Sequence, residues 1–185
     1  MISSLRPSSR DAIIQAAFEL LASDTGVSLA DIATRAGVGR ATLHRYFSSR
    51  DDLFFALAKA AIHDMDDAVE AACKDCSSHS DALYQSLKAL VPLGDRYRFL
   101  ANDTLEEHPD LQADYERQER ETVGLVDAAK GEGLFDQAVP TSWIVQSFEH
   151  LLYAAWESVT AQQCTPDQAT DLAWRTLTNG LGAPS

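Results

Sequence analysis

Arg40, Thr42, His44, Arg45 and Arg50 crowd cationic or hydrogen-bonding side chains onto one short stretch. Such a set suits a nucleic-acid groove. Arg donates bidentately to a guanine edge, a Thr methyl meets a thymine methyl, and His or Arg holds phosphate. Ser28 and Arg50 flank the stretch and are assigned to phosphate. Arg40, Thr42, His44 and Arg45 are expected to reach the groove. Arg40 is the base-reading candidate, because it stands at or near a helix start. Tyr46 is counted with the DNA-facing set, although its spacing puts it on an inner face. His44 donates as a neutral ring and adds charge in acid.

Two other groups could do chemistry. Cys73, Cys76 and His79 read C-x2-C-x2-H, a pattern able to hold zinc or to act as a dithiol switch. A fourth ligand is missing and the cluster stands at a helix end, so it is read as inert; a helical metal or redox protein is the rival reading. The aromatics Phe99, Tyr115, Trp143, Phe148 and Tyr153 are candidate walls of a ligand pocket bounded by the fourth to eighth helices, with Asp103 or His150 as polar contacts. Asp103, Glu106, Glu107, His108 and His150 are scattered candidates for metal or polar ligand contacts, several of them read as plain surface. No Gly-rich phosphate loop, nucleophile elbow or HExxH motif occurs, so neither an enzyme nor a metal or cofactor is expected.

The groove-reading residues need a scaffold, and Ser28 to Phe47 supplies its signals. Ser28 is an N-cap with Asp31 three residues on. Leu29, Ile32, Ala33 and Ala36 share one helical face. Gly37 follows the last turn, where a left-handed residue is usual. Gly39 or Arg40 opens a second helix whose inner face is Leu43, Tyr46 and Phe47. Two helices crossing through a tight Gly turn make a helix-turn-helix, whose second helix enters the major groove.

The same residues resemble the DNA-binding signature of the TetR/AcrR family of bacterial transcriptional regulators. The shared features are Ile32-Ala33, Ala36-Gly37-Val38, Thr42-Leu43, Tyr46-Phe47, Arg50 and Asp52-Leu53-Phe54. The chain departs from the pattern at Gly39, where Ser is frequent, and at His44, where Tyr is common. The resemblance implies a ligand-responsive regulator, most often a repressor, that dimerises by pairing its last two helices with their counterparts. An effector in the larger domain would favour a geometry in which the two recognition helices no longer match successive major grooves.

The remainder of the 185-residue chain reads as all-α, nine helices in total. The first covers about Ser9 to Ala22. A long fourth, about Asp51 to Lys74, carries the stripe Leu53, Leu57, Ala61 and Met65 and links the two regions. A fifth is expected over Ser80–Leu90, a sixth over Asp95–Glu107 and a seventh over Pro109–Lys130. The eighth starts at Pro140 and the ninth runs from Pro166 to about Thr178, after a Thr165 cap. The last two are apolar over more than one face, which argues for a second buried surface, either a dimer interface or a wall of the ligand cavity; the dimer interface is preferred for the pair, with Leu177 taken as an interface position.

Charge divides at the same place as the motifs. Residues 1–50 hold six Arg against four acids, net +2; residues 51–185 hold nine basic against twenty-four acidic residues, net −15. The expected division is a DNA-binding domain over 1–50 and an effector-binding and dimerisation domain over 51–185. An odd cysteine count argues against a disulfide framework. No stretch approaches the roughly 20 apolar residues of a membrane span, and the N-terminus has no apolar signal core. A cytosolic protein is therefore expected, with operator DNA, a small-molecule effector and a second copy as partners.

Overall fold

The computed structural model describes residues 8–21, 24, 26–94, 96 and 108–181. Among them are eight α-helices: α1 Ser9–Leu21, α2 Leu29–Arg35, α3 Arg40–Tyr46, α4 Arg50–Cys73, α5 His79–Leu90, α6 Pro109–Gly131, α7 Thr141–Thr160 and α8 Pro166–Leu181. A short 3-10 turn, Val91–Leu93, follows α5. The described residues contain no strand. The all-α expectation holds. The expected sixth helix, 95–107, falls outside the described residues except for Arg96, and so do the pocket candidates Phe99 and Asp103.

Local chemistry sets most helix ends. Ser49 caps α4, accepting from the Asp52 amide at 3.0 Å, and Ser78 caps α5, accepting from Asp81 at 3.0 Å. At α8 the Thr165 hydroxyl accepts from the Gln168 amide at 3.2 Å, while the Gln168 side chain accepts from the Thr165 amide at 3.0 Å. Pro166 then takes the first helical position, where its missing N–H costs nothing. The helix continues to Leu181, past the expected end near Thr178.

One connected set of buried residues runs from Ile13 to Leu177, so both halves of the chain share a core. The α4 stripe is at its centre: Leu53, Leu57 and Ala61 have no exposed surface, and Met65 little. Arg96 ties α1 to α4. Its guanidinium donates to Asp64 at 3.1 Å and to Gln15 at 3.1 Å, and lies 4.3 Å over the Phe18 ring. Leu177, expected on the interface, is 1% exposed and packs within its own chain.

Gly94 marks the tightest approach. A Cβ there would sit 0.9 Å from Trp156 Cδ1, so the indole lies directly on the backbone. Gly94→Ala is expected to cost about 1–3 kcal/mol by overpacking, read as a lower midpoint in urea. An unchanged midpoint would show that the indole moves aside freely.

Candidate nucleic-acid interface and effector cavity

The helix-turn-helix is built from reciprocal local bonds. The Ser28 hydroxyl accepts from the Asp31 amide at 3.2 Å and donates to its carboxylate at 2.5 Å, and the Asp31 carboxylate accepts from the Ser28 amide at 3.3 Å. These bonds hold the Asp31 carboxyl below its ordinary value. Two orphan donors of α2 are thereby satisfied. At the other end Gly37 adopts φ +68°; its N–H donates to Thr34 at 3.1 Å and that of Val38 to Ala33 at 3.0 Å. That pair of bonds needs a left-handed residue at Gly37 and turns the chain into α3. Ile32, Ala33, Leu43 and Phe47 are buried where α2 and α3 meet the core.

α3 begins at Arg40, with Gly39 as an N-cap that offers no side-chain bond. Arg40, His44 and Arg45 are exposed and Thr42 is half-buried, so the outward set expected from sequence lies on the outer side of α3. Arg40 makes no hydrogen bond or salt bridge among the described residues. Tyr46 is 40% exposed and not on the inner face. Leu43 and Phe47, four apart, fill the core contact, and Tyr46 stands at its edge with the Arg45 guanidinium 5.3 Å over its ring.

Two flanking residues carry internal duties. Ser28 has its hydroxyl engaged in the cap. Arg50 donates to the Val27 carbonyl at 2.5 Å and lies 4.7 Å over the Phe54 ring, holding the approach to α2 against α4. The signal for that tie is weak in sequence, because Val27 and Arg50 are 23 residues apart.

A cavity of about 1090 Å³ lies among α4, α5, α6 and α7. Tyr115 and Phe148 line it, with Met65, Leu83, Val145 and Leu152. Trp143, His150 and Tyr153 do not: Trp143 is 59% and Tyr153 39% exposed, and exposed His150 bonds the Gln146 carbonyl at 2.7 Å. The physical reason is angular. Residues five apart on a helix point about 140° from one another, so Trp143, Phe148 and Tyr153 cannot share one wall. Glu149 lines the cavity and was missed. Its sequence signal is its spacing, four after Val145 and three before Leu152, both buried.

The Cys73, Cys76 and His79 side chains are occupied otherwise. The Cys73 thiol donates to the Ala82 carbonyl at 3.4 Å and the Cys76 thiol to Ala72 at 3.7 Å. Burial, then the charge of Asp81, pushes the Cys76 thiol up to about 11. Glu132 closes the start of α5: it accepts from the His79 and Ser80 amides at 2.8 Å each, from the Ser80 hydroxyl at 2.7 Å, and lies 2.7 Å from His79 Nδ1. The His79 amide bond is the first cause that brings its carboxyl down to about 2. A depressed carboxyl stabilises the fold fully above its ordinary value of 4.5 and loses that contribution as pH falls through about 2. Glu132→Gln should therefore be less stable than the natural chain at neutral pH, with the gap closing between 4.5 and about 2. Urea melts across that range check it; a gap independent of pH would exclude the ionised cap.

Residues 13–57 match the model of the family described as bacterial regulatory proteins, tetR family. Over 182 residues, 97% of this chain and 93% of the other, the sequence is 31% identical to the HTH-type transcriptional repressor LfrR of Mycolicibacterium smegmatis. The chain belongs to the tetR family. The crystal structure of the TetR-like regulator LfrR from Mycobacterium smegmatis in complex with proflavine is similar throughout: TM-score 0.78, 28% identity, 96% of this chain and 99% of that one. A TetR family transcription regulator from Marinobacter aquaeolei VT8 shares the fold at TM-score 0.75 and 19% identity, covering 95% of this chain and 96% of that one. No described helix is long and apolar enough to cross a membrane.

Proposed function

We propose that this tetR-family protein is a homodimeric repressor that leaves its operator when a small molecule fills the cavity of its larger part. The observation that carries the reading is the juxtaposition of an exposed, basic α3 with a ligand-sized cavity through one helix, α4. Residues 1–50 form the DNA-binding part and 51–185 the effector-binding and dimerisation part. Arg40, Thr42, His44, Arg45 and Tyr46 meet DNA, while Ser28 and Arg50 position the motif.

Support for a switch lies in α4. It begins at Arg50, beside the helix-turn-helix, and its Met65, Asp66 and Val69 line the cavity. A ligand that binds one placement of α4 better than another shifts the distance between the two α3 helices of a dimer, by no more than its differential affinity. LfrR is a repressor, and it has been crystallised with proflavine. The second copy docks on the face of α7 and α8 that exposes Trp143, Tyr153 and Leu172.

The test is anisotropy of labelled DNA from upstream of the protein's own coding sequence, with scrambled DNA as reference and proflavine as probe. Tighter binding of the upstream DNA, weakened by the dye, is the expected result. Equal affinity for the two DNAs would overturn the reading.

A further inference from the structure

The cavity has apolar walls and an acidic lining. Among the described residues, six carboxylates line it against a single cation, Arg117. That cation is already committed: Arg117 pairs with Asp66 at 2.5 Å and with Glu121 at 3.1 Å. Glu116 lies 3.9 Å from Arg120. Glu70, Glu119 and Glu149 make no hydrogen bond or salt bridge among the described residues.

Glu149 differs from the other two in position. It is half-buried on α7, whereas Glu70 and Glu119 are exposed. Burial raises its pKa first and the Glu119 charge raises it further, against a smaller lowering by His150, which makes no hydrogen bond to it among the described residues. A carboxylate withdrawn from water without a partner is unfavourable, and a like charge nearby adds to the cost. A cation between Glu149 and Glu119 would relieve both, in a setting where Coulomb attraction exceeds its value in water. Phe148 and Tyr115 offer aromatic faces, and Met65 and Leu152 aliphatic contact, to an apolar body of drug size.

We infer that the cavity selects organic cations with an apolar body, and that half-buried Glu149 is the main reader of the positive charge, with exposed Glu119 as the weaker second carboxylate. The inference rests on the cavity being the effector site. A solvated acidic face would give no such selection, because exposed carboxylates attract cations only weakly and without regard to which one is removed.

Equilibrium dialysis of the full chain at neutral pH tests it with three probes: proflavine, a cation; acridine, the same ring frame but neutral; and an anilinonaphthalene sulfonate, an anion. The variants are Glu149→Gln, Glu119→Gln and, as an exposed carboxylate outside the cavity, Asp75→Asn. Proflavine should bind at least about tenfold more tightly than acridine, and the anion most weakly. Glu149→Gln should remove most of the proflavine advantage and leave acridine unchanged. Glu119→Gln should remove less, and Asp75→Asn none. Equal binding of the three probes, a Glu149→Gln effect shared by proflavine and acridine, or one no larger than that of Asp75→Asn would overturn the inference. DNA release by acridine or the anion but not by proflavine would overturn the charge reading alone. The expected dye pattern in a protein with no preferred DNA would overturn the repressor reading alone.

Discussion

Leu172→Asp is expected to turn the protein from a dimer into a monomer and to remove most of its operator affinity. Leu172 is 56% exposed on α8, and Trp143 is 59% exposed on the neighbouring α7. Large apolar side chains so exposed on adjacent helices mark a surface that another surface covers. In a two-fold dimer each substitution occurs twice, on self-complementary patches. An unpaired charge buried in such an interface costs about 3–5 kcal/mol. Each copy thus weakens dimerisation by roughly a hundredfold or more. Operator binding follows, because a monomer presents one α3 and half the phosphate contacts. Sedimentation of both proteins at micromolar concentration reads the first effect and anisotropy the second. A natural chain that sediments as a monomer would refute the interface. The fold should survive, since Leu172 is not part of the core.

That last point separates Leu172 from Leu177. Both are apolar residues of one amphipathic helix, five positions apart and so about 140° apart around it. Composition identifies the helix as doubly apolar but not which leucine faces its own chain. The packing decides: Ala169, Ala173 and Leu177 meet the core and Leu172 does not. The same limit applies to α7, where Trp143, Phe148 and Tyr153 are equivalent by composition and only Phe148 lines the cavity. Periodicity marks a face, and tertiary contact assigns it a neighbour.

The helix-turn-helix is readable because its determinants are local. Ser28 and Asp31 bond each other, and Gly37 alone makes the turn. Long-range ties are not readable. The Arg50 bond to Val27, the Arg96 bridge from α1 to α4 and the Glu132 cap on α5 each join residues far apart in sequence. Glu149 lies between these cases. Its spacing places it on a buried face, but a lone carboxylate gains meaning only beside a cavity and the charge of a second carboxylate, Glu119.

Arg40→Ala is expected to lower affinity for the operator far more than for scrambled DNA. Arg40 opens α3, is exposed, and makes no hydrogen bond or salt bridge among the described residues, so its removal leaves the fold unchanged. Its planar fork matches the two acceptors of guanine in the major groove. Removing a good bidentate pair costs about 1–3 kcal/mol and relaxes preference at one base position in each half-site. Arg50→Ala should behave differently in two respects. Phosphate is present in every DNA sequence, so if Arg50 meets it as the sequence implies, its loss weakens operator and scrambled DNA alike and makes the salt dependence shallower. The bond to Val27 disappears too, which should lower folding stability by about 1–2 kcal/mol. A melt therefore accompanies the DNA titration, and Arg50→Ala is compared at a temperature where both proteins are folded. Measuring both affinities over a salt series separates base readout from charge. If Arg40→Ala reduces them by the same factor, Arg40 clamps phosphate, and the base-reading role passes to Thr42, His44 or Arg45.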